Sequence, residues 1–473
     1  MAKERFEFTT GLKKKLYIVA IIGFVLLLVG AIFPGGGHEA EAGDHEGTEQ
    51  HDAASSGDHE TNASEDHNGD NNDAHGGMIS DDSGDGHEAG EADHGGGWLK
   101  RLGVNLWINN VYFAGLAIIG IFFFTLQYAS QAGWSAFLLR VPLAMGSWLP
   151  YAFLLMIGTF MIFGHDIFHW THSDLYNEFL PSGELNPHYD ALIAGKSSYF
   201  FLPLEGGSFP LFFILRMVLF FGVWFWLFKK IKSLALAEDE LGGDSYWFKI
   251  RKFSAIFLVF FALSSSVSAW DWIMSIDVHW FSTMFGWYVF ASWWVTGLAF
   301  ITLVTILLKE AGYLSQVTAN HLHDLGKFIF AFSIFWTYVW FSQFLLIYYA
   351  NIPEESVYFV ERLLSDKYAP FFFINLGLNF IFPLLTFMTR DAKRLNVFLK
   401  IVCIVILGGH WIDFYLMVTP GTLGENGAFG LTEIGLFLVF GVAFVFVTLT
   451  ALSKSALVAK NHPMLEEAKH HHI

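Results

Sequence analysis

The sequence predicts an all-α polytopic membrane protein: ten transmembrane helices, with spans 2–5 and 6–9 forming two parallel-repeat four-helix bundles and two peripheral helices outside them. Three observations predict it. Of 473 residues 54% are hydrophobic and 18% aromatic, which water-soluble globular classes do not fit. Apolar stretches of about 20 residues, enough to cross roughly 30 Å of hydrocarbon, recur ten times. Basic residues are divided unequally between the connecting segments.

In order, the spans are 16–33, 105–129, 142–164, 209–228, 254–275, 281–308, 328–350, 371–389, 397–419 and 431–452. None alternates as a strand would, and only helices or closed barrels satisfy the backbone in lipid. The first follows Lys13, Lys14 and Lys15, and its apolar core exceeds the roughly 7–15 residues of a signal peptide; an uncleaved anchor is expected. Of 27 Lys and Arg, only Lys100, Arg101, Lys196, Arg362 and Lys367 fall on the outer side, Arg216 lies within a helix, and the rest fall inside. That asymmetry puts both termini in the cytoplasm.

Residues 38–96 hold 18 acidic side chains, eight histidines and no Lys or Arg, with GDHE at 43–46 and 57–60 and GHEA at 37–40 and 86–89. They account for the net charge of −17, and such a segment has little to bury and reads as a disordered outer loop. Its histidines could hold Zn²⁺ or Cu²⁺ loosely, but their irregular spacing forms no defined site, so no metal is expected. The organisation expected is an anchor (1–33), the acidic loop (34–102), a first bundle (103–276), a second (277–420) and a last span with a cytoplasmic tail (421–473).

The single cysteine, Cys403, excludes intrachain disulfides and Cys-ligated iron–sulfur clusters. His410 is the one histidine well inside a span, too few for a haem held between helices. No redox centre is therefore expected in this chain, and no nucleic-acid partner.

Spans four and eight begin alike, PLFFILRMVLFF from Pro210 and PFFFINLGLNFI from Pro370, and spans five and nine end on Trp270-Asp271-Trp272 and Trp411-Ile412-Asp413. Four spans separate each pair, so the halves share one orientation, about an axis along the membrane normal. Charged groups inside spans should face a bundle interior and pair. At 1.5 Å per residue, Arg216 lies roughly 9 Å below Pro210, with Asp271, Asp413 and Gln343 at similar depth. Arg216 is expected to pair with Asp271, with Asp413 as the alternative. These residues and His410, with His165, Asp166, His169 and Glu433 nearer the outer ends, are candidates for proton transfer or a quinone pocket. Trp272, Trp280 and Trp287 are expected mainly in an interfacial belt, and Asp277 and His279 at the outer surface. On the inner side the loop ANHLHDLGK carries His321, His323 and Asp324, candidates for proton entry or for a simple helix cap.

With SVSAWDWIMSIDVHWFSTMFGWYVFASWW (266–294), NHLHDLGKFIFAFSIFWTYVWFSQFLLIYYANIPEE (320–355) and GGHWIDFYLMVTP (408–420), the chain resembles the NrfD-like, polysulfide-reductase-like membrane subunits of quinone oxidoreductases. It is most similar to the ActF-type subunits of bacterial alternative complex III, a quinol:cytochrome c oxidoreductase. The resemblance covers about residues 100–455. It implies a multi-pass subunit of the bacterial inner membrane with a periplasmic acidic loop. The implied neighbours are a sister NrfD-like subunit, a periplasmic iron–sulfur subunit and c-type cytochrome subunits, passing electrons to cytochrome c or a terminal oxidase. Quinone or quinol, and lipids, are the ligands it implies for the membrane part; haem c and iron–sulfur clusters belong to the partners. Asp271 occupies the place of the family's aspartate near the quinone pocket, but Trp270 and Trp272 flank it here and could fill that cavity, leaving a proton route or a scaffolding role. Two other classes compete: a secondary ion or solute transporter, disfavoured because spans four, five and nine lack a central proline, and a purely structural assembly subunit.

Overall fold

The computed structural model describes residues 5–33 and 96–472; the predicted acidic loop lies outside them for nearly all its length. Among the described residues ten helices are long and apolar enough to cross a membrane: α1 (Thr10–Ile32), α2 (Gly97–Ser130), α3 (Arg140–Ile167), α4 (Leu211–Leu241), α5 (Asp244–Ile276), α6 (Phe285–Glu310), α7 (Ala319–Ala350), α8 (Ala369–Thr386), α9 (Asn396–Asn426) and α10 (Leu431–Leu452). No strand is present among the described residues.

Several helices outrun the apolar stretches that announce them. Hydropathy marks only the apolar length, whereas polar turns prolong the helix where its end is capped. ANHLHDLGK, expected as a loop, is the first turns of α7: Thr318 is the N-cap and His321 completes a capping box with it, supplying acceptors for otherwise orphaned N–H groups. Similarly α4 continues to Leu241 and turns into α5 through Gly242 and Gly243, both at positive φ, a conformation in which a Cβ would clash.

Two helices are broken. A 3₁₀ turn at Gly146–Trp148 interrupts α3. In α8 a π-turn spans Gly377–Ile381, directly before Pro383. Pro383 has no N–H for the Asn379 carbonyl one turn earlier, and the wider turn absorbs that break.

The helices α2 and α6 are the most deeply buried, and α1 the least. Packing contacts link α2 with α3, α3 with α4, α4 with α5 and α5 with α2; they also link α6 with α7, α7 with α8, α8 with α9 and α9 with α6. Between these sets α2 meets α6 and α9, and α5 meets α6, while α10 lies on α2 and α3 and carries α1. At the start of α10, Glu433 is fully buried. It takes Arg101 Nε at 2.7 Å and Nη2 at 2.6 Å, Asn105 Nδ2 at 2.8 Å and the Gly430 N–H at 2.8 Å. This bidentate pair pins the first turn of α10 to the first turns of α2.

Between α1 and α10 the backbones approach closely at small residues. A Cβ on Gly435 would stand 2.7 Å from both the Gly23 carbonyl and the Leu27 nitrogen, whereas nothing lies within 4 Å of one on Gly11. Gly435→Leu is expected to force α1 off, costing about 1–3 kcal/mol. A lower melting temperature and faster hydrogen exchange throughout α1 would register it, with Gly11→Ala as the unchanged control.

The segment after α10 folds back under the Lys229 end of the helices. Its His462 ring stands edge-on to Tyr128, 5.2 Å between centroids, and Nδ1 accepts the Met464 N–H at 3.2 Å. Burial, with Arg140 nearby, pushes the His462 imidazole down to about 4. The folded state thus binds the proton less well than the unfolded chain, whose imidazole titrates near 6.5. The stabilisation is complete above pH ~6.5 and drains away as pH falls toward 4. Between pH 7 and 4 the tail should become more protease-sensitive, and His462→Gln should weaken that transition.

Candidate functional site

The polar face of α5 is built at helical spacing from Ser264, Ser268, Asp271 and Ser275. Ser264 Oγ takes the Trp224 indole N–H at 2.9 Å, and Ser268 Oγ donates to the Ser264 carbonyl at 2.7 Å. On this face Asp271, 1% exposed, meets Arg216 of α4 in a fork: Nε to Oδ2 at 2.7 Å and Nη2 to Oδ1 at 2.9 Å. The third guanidinium nitrogen, Nη1, donates to the Tyr199 carbonyl at 2.7 Å. The guanidinium also lies 4.2 Å from the Tyr199 ring centroid and 4.6 Å from that of Phe212, an arrangement suited to a planar cation. Of the two expected partners, Asp271 is the one Arg216 takes, and Asp413 is not.

Beside this pair is a cavity of about 390 Å³ lined by Lys196, Tyr199, Trp270, Ser275, Trp280 and Phe281, among others. Trp270 lines it, but Trp272 turns the other way: it is fully buried, stacked on Phe221 at 5.5 Å, and its carbonyl accepts the Trp107 indole N–H at 2.8 Å. Trp272 is therefore core and not interfacial belt. Trp280, also expected in the belt, is buried and stacked 3.9 Å from Tyr358. Trp287 is 53% exposed, as expected. Lys196 donates to the Val278 carbonyl across the cavity, and its burial lowers its affinity for the proton.

A second polar centre surrounds Asp413 of α9, with no lysine or arginine paired to it among the described residues. Oδ1 accepts from the Tyr288 hydroxyl of α6 and from Asn375 Nδ2 of α8 at 2.9 Å; Oδ2 accepts from Trp336 Nε1 of α7 at 2.9 Å. One helical turn away, His410 Nδ1 sits 3.8 Å from Asp413 Oδ2 and 2.9 Å from Ser292 Oγ, while its Nε2 is buried without a partner. Asn379 of the π-turn reaches Asn375 Oδ1 at 2.5 Å. Thus α6, α7, α8 and α9 each contribute a side chain.

Both centres dock on α2: Trp107 bonds the carbonyl beside Asp271, and Asn109 Oδ1 accepts the Trp411 N–H at 3.1 Å, two residues before Asp413.

The other expected candidates lie apart. Gln343 accepts from Ser282 Oγ at 2.8 Å and tethers the turn before α6. Glu433 serves the Arg101 pair described above. His165, Asp166 and His169 are exposed at the end of α3; His165 Nδ1 is 3.0 Å from Thr171 Oγ1. Desolvation, with His172 and His279 close by, lowers the His169 imidazole. At the Lys229 end His321 is a capping residue, Asp324 takes Lys327 at 2.5 Å and His471 at 2.6 Å, and His323 is buried.

Asp277, expected at the outer surface, is ion-paired at 2.8 Å to Arg362, a buried residue of the short helix Pro353–Leu363, while His279 is exposed and pairs with Asp190 at 2.5 Å. Arg362 also donates to the Leu416 carbonyl at 2.9 Å.

Reading the sequence for charge misses Tyr288, Ser292, Trp336, Asn375 and Asn379, which are neutral. The signal was present in PFFFINLGLNFI, where two asparagines stand one helical turn apart in an apolar run. Among the described residues no three His, Cys, Asp or Glu converge to hold a metal ion. No family model matches the chain, and no curated protein matches its sequence.

Proposed function

We propose that this chain is a membrane subunit of a bacterial respiratory quinol:cytochrome c oxidoreductase of the alternative complex III type, holding no redox centre of its own. In this reading it sits in the inner membrane with both termini cytoplasmic, as two four-helix bundles, α2–α5 and α6–α9, with α1 and α10 outside. The matching pattern of packing partners in the two sets of helices supports the repeat. A sister NrfD-like subunit, an iron–sulfur subunit and c-type cytochromes carry the electrons onward.

One observation carries the reading: a small-molecule-sized cavity lies beside a buried, charge-compensated carboxylate. A quinol bound there supplies two electrons to the neighbouring subunits and two protons to this one. On the cavity wall Ser275 donates to the Asp271 backbone carbonyl and the Tyr199 carbonyl accepts from Arg216, whose guanidinium forks onto the Asp271 carboxylate. Trp272, by facing away, leaves the space that the sequence suggested it would fill.

Asp271→Asn, which keeps the side chain's size, tests this. Assembly with haem- and iron–sulfur-containing partners should persist while quinol turnover falls by about 10²-fold, the lower range of general acid–base effects. A colourless, solitary wild-type protein after gentle detergent extraction would overturn the respiratory reading.

The π-turn of α8 favours a second reading, a secondary transporter, because a broken helix beside an intramembrane carboxylate is how transporters expose a binding site. Proton-coupled uptake by the isolated chain in liposomes, lost in Asp413→Asn, would support that alternative.

A further inference from the structure

We propose that the groove between α1, α3 and α10 binds an anionic, two-chain phospholipid whose headgroup is held by Lys13, Lys232 and Lys454. The proposal rests on the reading of these helices as membrane-spanning.

The groove has a volume of about 600 Å³ and an almost wholly apolar wall, including Leu16 and Tyr17 of α1, Trp148 and Tyr151 of α3, and Val442 and Phe446 of α10. Its shape and lining suit an acyl chain and offer nothing to a polar solute.

Three cations gather at one end. Phe446 carries Phe8, 5.3 Å between ring centroids, and the Lys13 ammonium lies 5.1 Å from the Phe8 centroid. Next to Trp148, Ser147 Oγ accepts from Lys232 Nζ at 3.3 Å. Lys454 lies two residues beyond the end of α10, roughly two turns past Val447 of the groove wall. Among the described residues no carboxylate pairs with any of these three lysines.

Three uncompensated ammonium groups at the mouth of an apolar groove lack a counter-charge. An anionic phosphate headgroup supplies it while its acyl chain fills the groove; a zwitterionic headgroup brings no net charge to balance them.

Native mass spectrometry of the full-length chain would test this, with phosphatidylglycerol and phosphatidylcholine of identical acyl chains added at equal concentration. The expected result is retention of one phosphatidylglycerol with at least a ~10-fold preference, lost in Lys232→Gln/Lys454→Gln. Val442→Trp, which blocks the groove and keeps the charges, should reduce retention of both lipids. Equal retention of the two lipids by the wild type, or an undiminished preference in the double lysine variant, would overturn the proposal. Recovery of the chain in the soluble fraction would overturn the membrane reading itself, separately from any lipid preference.

Discussion

Replacing Arg216 with Met should destabilise the protein by about 3–5 kcal/mol, because it leaves the Asp271 carboxyl buried without its partner. The cost arises from the stranded carboxylate more than from the lost bond. Removing both charges, as in Arg216→Met/Asp271→Leu, should therefore restore most of the stability. Arg216→Lys keeps the charge but cannot form the fork to both carboxylate oxygens or lie flat against Tyr199 and Phe212, so it should fall between. Denaturant unfolding of the three variants in one detergent reads the series. A single variant within about 1 kcal/mol of wild type, the typical worth of an exposed pair, would mean that water reaches Asp271 and that the pair is not the buried centre described above.

The second large effect is expected at Asp413. Asp413→Leu removes the acceptor shared by the Tyr288 hydroxyl, the Trp336 indole and the Asn375 amide, each of which then stays buried without a partner at a cost of about 1–3 kcal/mol. The three losses belong to one network and will not simply add, but together they should exceed any single-donor change such as Tyr288→Phe. Asp413→Asn retains one acceptor oxygen and should cost less than Asp413→Leu. Denaturant unfolding of the three variants reads that order. An Asp413→Leu protein as stable as wild type would show that the donors find other partners. The two aspartates, alike in sequence context, thus predict different phenotypes: Asp271 depends on one cation, Asp413 on three neutral donors.

That difference separates what was legible from what was not. The Arg216–Asp271 pair could be read because charges within long apolar helices are few and must find one another. The same reasoning put Asp277 at the surface, yet Arg362 reaches it from a helix 85 residues further along the chain, and nothing local to either residue announces that meeting. Glu433 was legible as a candidate near an outer helix end but not as the buried partner of Arg101, since Arg101 was counted outside the apolar stretch that α2 in fact extends. Trp272 and Trp280 look like belt residues by position, but only packing shows which way each ring turns.

Ten apolar helices, their order, and the rarity of ionisable groups within them follow from the sequence alone, because hydropathy and backbone hydrogen bonding are local in origin. The tertiary structure decided which side chains share a centre. Such contacts join helices separated by up to hundreds of residues, and their geometry depends on how each helix is rotated, started and broken. The neutral shell around Asp413 is the clearest case: single donors from α6, α7 and α8 become a site only when those helices close around α9.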